Sequence, residues 1–218
     1  MTTFAAYIIT MTFLSIISYI EFIDRELLFL INGAHTPLTD NLFWTATRTA
    51  SWIPFYLLAI FAIWYCYRQK AWRVVLLVIL AVCVSDIVSS GIIKPLVHRP
   101  RPTHTPELFD RLRFFVRPNG KVYYGGVNSF PSSHAANSTT VAMLLFASLR
   151  DSVGKKWPLV LCLASYVLLF SYTRPYLGVH YPSDILMGWL VGLTVSMLIV
   201  FWARRTLLAP PLQRGFSA

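Results

Sequence analysis

Apolar residues in this chain run in long uncharged stretches instead of alternating with polar ones. Six stretches, at residues 4–20, 49–67, 74–93, 133–149, 157–173 and 185–203, approach the length a membrane helix requires, and only Asp86 interrupts them. A helix needs about 20 residues to cross a hydrocarbon core about 30 Å thick. Lipid offers no hydrogen-bond partner to a backbone N–H or C=O, so helix is the expected state of each stretch. The pattern predicts an all-α, polytopic membrane protein with six transmembrane helices. Residues 21–47 follow a different rhythm: Phe22, Ile23, Leu27 and Leu28 mix with Asp24, Arg25 and Glu26 before Asn32-Gly33. That mixture predicts an amphipathic helical segment lying in the interface. The first stretch lacks the basic start and small-residue cleavage pattern of a signal peptide, which makes it a retained helix. Residues 1–218 are expected to form a single membrane domain, with a core at about 48–204 preceded by the N-terminal helix and interfacial segment.

Composition agrees with the pattern. Hydrophobic residues make up 56% of the chain, charged residues 13%, and mean hydropathy is +0.58, which leaves too few charges to coat a soluble domain. Aromatics at 15% exclude a disordered chain. The net charge of +10 is distributed among the loops and forms no single solvated stripe, so nucleic acid is not an expected partner. Cys66, Cys83 and Cys162 lie inside apolar runs without CxxC spacing and are expected to be buried filler. Counted by Lys and Arg, the loops nearly tie: nine bases with Asp151 on one side, ten bases with most of the acids on the other. The acid-poor side, whose bases crowd short turns, is assigned to the cytoplasm.

Alternating crossings make the end of each odd helix coincide with the start of the next even one. Three polar clusters thereby face one compartment: residues 94–102, 131–134 and 174–184. They contribute the cations Lys94, Arg101 and Arg174, the helix-opening run Pro131-Ser132-Ser133-His134, and His180 with Asp184 four residues later. Arg grips phosphate oxygens with a planar fork and Lys with a point charge. A helix start preceded by Pro and Ser presents free N–H groups to an anion. Imidazole serves as nucleophile when neutral and as acid when protonated, and a carboxylate on one ring nitrogen leaves the other free to attack. Taken singly, each residue has a plainer role: a snorkelling lysine, an arginine on a lipid headgroup, a histidine beside a helix cap. Their convergence on one leaflet points to a phosphate-handling site.

In these residues the chain resembles the type 2 phosphatidic acid phosphatase superfamily of integral membrane lipid phosphatases. Lys94 through Pro102 fits the Lys, six residues, Arg-Pro motif. Pro131-Ser132-Ser133-His134 fits Pro-Ser-Gly-His with Ser133 in the Gly position. Thr173-Arg174, His180 and Asp184 fit the third motif with Thr173 in place of Ser. The resemblance implies a six-helix core and a metal-independent phosphohydrolase that needs no cofactor. It further implies that His180 attacks phosphorus to form a phosphohistidine, that Asp184 orients His180, and that His134 protonates the leaving oxygen and later activates water. Lys94, Arg101, Ser132, Ser133 and Arg174 are expected to hold the phosphate.

The expected partner is a membrane lipid with a phosphate headgroup, whose tail stays in the bilayer. Lipid A, undecaprenyl diphosphate and phosphatidylglycerophosphate all qualify, in a bacterial inner membrane with the site facing the periplasm. A non-catalytic phosphate-lipid binder or flippase and a vanadate-dependent haloperoxidase are the alternatives. Arg111, Arg113, Arg117 and Lys121 either attract a multiply charged headgroup or coat their loop. Asp86 lies about 12 Å along the helix from Lys94, a depth at which a helix-to-helix hydrogen bond beside Ser85, Ser89 and Ser90 is expected.

Overall fold

The structure, a computed structural model, describes residues 2–204. Eight α-helices account for most of the described chain: α1 Thr2–Gly33, α2 Pro37–Ala46, α3 Ile53–Tyr67, α4 Ala71–Asp86, α5 Lys94–Val97, α6 Ser133–Leu149, α7 Trp157–Tyr176 and α8 Pro182–Ala203. A π-helical segment, Ile87–Ile93, joins α4 to α5. Among the described residues the β structure is limited to two isolated bridges, Pro100 with Asn128 and Val116 with Val122, in the loop between α5 and α6.

Among the described residues, three stretches are long and apolar enough to cross a membrane: Thr49–Val97, Trp157–Tyr176 and Pro182–Ala203. The first of these folds back at Arg68–Lys70 into α3 and α4. Large apolar side chains cover the outside of the bundle, including Leu57 and Leu58 on α3, Ile79 and Leu80 on α4, and Leu198 and Phe201 on α8. Small polar residues occupy the inside. Thr140, Ser148 and Ser196 donate to carbonyls four residues earlier, at 2.9, 2.7 and 2.6 Å, which satisfies each hydroxyl within its own helix.

Two expectations need correction. The segment after residue 20 does not separate into an interfacial helix, because α1 runs unbroken from Thr2 to Gly33. No Pro or Gly interrupts it, and two of its three acids have partners on the loop above: Asp24 with Arg99, Glu26 with Arg111. The separate short helix is α2, closed by a capping box in which Thr36 and Thr39 bond each other's backbone N–H. The cysteines are not buried either. Cys83 and Cys162 are exposed and Cys66 is intermediate, as suits an apolar residue on a helix flank that faces lipid.

The pair that positions the site is α6 against α8. A Cβ on Gly188 would lie 2.5 Å from the Ser132 carbonyl oxygen and 2.8 Å from Ala135 Cβ. One on Gly192 would meet the Ala136 carbonyl oxygen and Thr139 in the same way. With glycine four residues apart, the two backbones touch, the small-residue packing of membrane helices. Alanine is the better helix former by about 0.5–1 kcal/mol where nothing is in the way. Here Gly192→Ala is expected instead to destabilise the protein by about 1–3 kcal/mol, the cost of overpacking a tight contact. A lowered unfolding midpoint in detergent checks the sign.

Candidate active site

The three motifs meet at one end of the bundle. Lys94 follows the π-helical segment, and its Nζ donates to Ser133 Oγ at 2.8 Å, tying α5 to the first turn of α6. Ser132 caps α6 by accepting from the Ala135 N–H at 3.5 Å. Its own N–H donates to the Asp184 carbonyl at 2.9 Å, which holds the starts of α6 and α8 together. Ser133 is thus engaged with Lys94, and with Ser90 Oγ at 2.6 Å. His134, one residue into the helix, stacks on Phe170 of α7 with ring centroids 5.0 Å apart.

Arg101 and Arg174 enter from a loop and a helix end. Arg101 is 7% exposed; its Nε donates to the Asn128 carbonyl and its Nη1 to the Val179 carbonyl, both at 3.2 Å. It lies flat on Gly125, whose φ of +70° and lack of Cβ make room for the guanidinium. Arg174 is 2% exposed; its Nη1 donates to Thr47 Oγ1 at 2.7 Å and its Nη2 to the Tyr123 hydroxyl at 3.2 Å, while its buried Nε has no partner. Among the described residues, none of Lys94, Arg101 and Arg174 pairs with a carboxylate.

His180 follows a turn at Gly178, where φ is +72°. Its Nδ1 lies 3.2 Å from Asp184 Oδ2, and both residues are fully or almost fully buried. A carboxylate can only accept, so Nδ1 carries the proton and Nε2 keeps its lone pair. Burial, then the fields of Arg101, Arg174, Lys94 and Arg99, hold His180 well below the ordinary histidine value. Burial and the nearby Arg174 push the Arg101 guanidinium down to about 10. Burial alone would raise the Tyr123 phenol, but Arg174, Arg101 and Arg117 hold it below its ordinary value. These shifts describe one region of uncompensated positive charge, where an anion is favoured and a proton on His180 is not.

Sequence reading missed the support for this region. Arg99 was counted only as a loop base, yet its Nη1 donates to Asp184 Oδ1 at 2.8 Å and to Ser183 Oγ at 2.7 Å, and its Nη2 to Asp24 Oδ2 at 2.6 Å. It also stacks over the Tyr181 ring at 3.9 Å. Asp24 further accepts from the Ser183 N–H at 2.8 Å. The available signals were Arg99 inside the first motif and Asp24 as an acid within an apolar helix. Thr47 and Tyr123 carried no signal. Arg111 and Arg113 of the basic loop are committed to Glu26 and Asp40 at 2.6 and 2.9 Å. Asp86 makes the expected helix-to-helix bond, accepting from Asn137 of α6 at 3.1 Å and from Ser90 at 3.3 Å.

An all-helical bundle with an apolar exterior and a cationic cradle around a paired histidine defines a membrane phosphohydrolase. The PAP2 superfamily model matches residues 70–207, and the chain belongs to that family. It is an integral membrane lipid phosphatase, a hydrolase acting on phosphoester bonds. A lipid A 4'-phosphatase of Bacteroides thetaiotaomicron is 32% identical over 87% of this chain and 80% of its own length. A lipid A 4'-phosphatase of Porphyromonas gingivalis is 31% identical over 83% and 73%. The crystal structure of Aquifex aeolicus LpxE superposes with a TM-score of 0.58 at 28% identity, covering 81% of this chain and 93% of that one. A PAP2-type phosphatidylglycerolphosphate phosphatase from Bacillus subtilis shares the fold with a TM-score of 0.65 at 18% identity, covering 86% and 88%.

Two outcomes follow for the isolated protein. The fold keeps His180 neutral at pH values where the histidine of the unfolded chain, with a pKa near 6.5, gains a proton. Its contribution to stability is therefore intact above about pH 6.5 and lost below it, at about 1.4 kcal/mol per pH unit. Unfolding midpoints at pH 7.5, 6.5 and 5.5 should show a smaller acid loss in His180→Gln than in wild type. Arg99→Gln leaves the buried Asp24 and Asp184 without the cation they share. Because Arg99 keeps some solvent contact, the expected loss is about 2–3 kcal/mol, below that of a fully buried pair. Arg99→Lys should recover part of it in the same measurement.

Proposed function

We propose that the protein removes phosphate from a lipid of the lipid A class at the periplasmic face of a bacterial inner membrane. The observation that carries this reading is the cluster of Lys94, Arg101 and Arg174, cations without a carboxylate partner among the described residues, around a buried histidine whose Nε2 is free. Buried charge is costly when uncompensated, and a phosphate dianion compensates it. Two lipid A 4'-phosphatases aligned over most of this chain support the substrate class.

In the proposed reaction Nε2 of His180 attacks phosphorus as the bond from phosphorus to the lipid oxygen breaks. His134 gives its proton to that oxygen. A water then loses a proton to His134 and attacks the phosphohistidine, the P–N bond breaks, and inorganic phosphate leaves. The bound dianion offsets the surrounding cations, which allows His134 to hold a proton in the first step. Lys94, Arg101, Arg174, Ser132, Ser133 and the free N–H groups of the α6 start hold the oxygens, and stabilising charge spread over them is the main requirement of phosphoryl transfer. Asp184 is a positioning residue, held by Arg99 and the Tyr181 N–H. Six crossings, by α1, α3, α4 with its π-helical extension, α6, α7 and α8, set the cradle at one membrane surface. The basic turns at Arg68–Lys70 and residues 150–156 face the cytoplasm.

Phosphate release from lipid A by the detergent-solubilised protein tests the reading. Release should survive EDTA, be inhibited by vanadate, and fall at least about 10³-fold in His180→Ala, the scale expected when a covalent nucleophile is removed. Loss of release on chelation, or full release by His180→Ala, overturns it.

A further inference from the structure

Below the phosphate cradle a polar track leads between α4 and α6. From Lys94 it runs through Ser133 Oγ to Ser90 Oγ, then to Asp86 Oδ1, which also accepts from Asn137 Nδ2. The four links measure 2.8, 2.6, 3.3 and 3.1 Å. Ser90 is brought into line by the π-helical segment, whose wider turns are a common device at functional sites. Asp86 is exposed although it belongs to a stretch apolar enough to cross a membrane, and an ionisable residue there is costly unless it serves the protein.

The acceptors in this notch are not used up. Both bonds to Asp86 land on Oδ1, which leaves Oδ2 with acceptor capacity. Asn137 presents its amide N–H to Asp86 and so holds the carboxyl in place, while its own Oδ1 points into the protein, buried and without a partner. The notch therefore calls for a ligand that donates hydrogen bonds. One turn deeper the surface changes character. Cys83 precedes Asp86 by three residues and Val141 follows Asn137 by four, and both line an apolar groove of about 280 Å³ together with Tyr56, Val75, Ile79 and Leu145. Phosphate cradle, acceptor notch and apolar groove follow one another along the same pair of helices.

We infer that Asp86 and Asn137 form a substrate subsite that reads a hydroxyl or amide N–H at the root of an acyl chain, with that chain lying in the groove below. The inference rests on the lipid phosphatase reading and narrows it. Lipids whose chain begins with an amide or a hydroxyl supply the donor. Diacylglycerol esters and polyprenyl chains present only acceptors or nothing, and leave Asp86 Oδ2 without a donor, the arrangement in which polar discrimination is largest.

Ceramide 1-phosphate and phosphatidic acid of matched chain length isolate the feature, since both carry a phosphomonoester and only the first has an amide N–H and a hydroxyl beside it. Their retention by full-length His180→Ala in detergent, read by native mass spectrometry, requires no turnover; His180→Gln serves where His180→Ala does not survive extraction. Ceramide 1-phosphate should be held about tenfold more tightly, the factor expected of one or two hydrogen bonds. Adding Asp86→Ala or Asn137→Ala should bring the two lipids within about twofold of each other. Equal retention by the parent protein, or a preference that survives both substitutions, overturns the inference. Lipid A phosphate release by wild type reports separately on the phosphatase reading: if it is absent that reading fails, while the retention ratio still decides the subsite.

Discussion

The backbone contact between α6 and α8 is the constraint on which the rest of this structure depends. Gly188 and Gly192 have no Cβ where one would strike the Ser132 and Ala136 carbonyls. At that separation the Ser132 N–H reaches the Asp184 carbonyl at 2.9 Å. The helix start that carries His134 and the helix start that orients His180 are therefore one rigid unit. In lipid there is no hydrophobic force to press helices together, so close approach must come from small residues and from the dispersion and hydrogen bonds they permit. The relative position of His134 and His180 is thus fixed by residues with no chemistry of their own.

Around that unit the protein concentrates charge of one sign and distributes the opposite sign with care. Arg99 takes up Asp24 and Asp184, so that neither acid is available to quench Lys94, Arg101 or Arg174. Neutral acceptors around the two arginines, Thr47 and Tyr123 for Arg174 and the Val179 carbonyl for Arg101, fix the side chains without neutralising them. Burial without a counter-charge is unfavourable for the unliganded protein and favourable for binding a dianion. The same positive field disfavours a proton on His180, so in the proposed reaction one arrangement would both attract the phosphate and preserve the attacking nitrogen.

Much of this was legible in the sequence because lipid allows so few solutions. Residues 133–149 were expected to be helical and α6 spans Ser133–Leu149; the last two apolar runs became α7 and α8 with their starts and ends extended by no more than three residues. The motif residues were legible by spacing, and helix parity brought them to one end. What escaped had no local signature. Asp24 and Arg99 lie 75 positions apart and are joined only by the fold. Hydropathy falls at residue 20, but hydropathy reports the solvent while backbone propensity decides whether a helix stops, so α1 continued to Gly33. The π-helical turns of Ile87–Ile93 left no mark that residue type or periodicity could reveal.

The tie from Asp24 to Arg99 reaches beyond the segment matched by the family model, residues 70–207. The family match begins at residue 70, and α1 lies wholly before it, yet α1 supplies the carboxylate that shares the guanidinium with Asp184. A transplanted core of residues 70–204 would thus carry Arg99 with half of its counter-charge removed. The electrostatic unit centred on Arg99 therefore begins earlier in the chain than the segment matched by the family model.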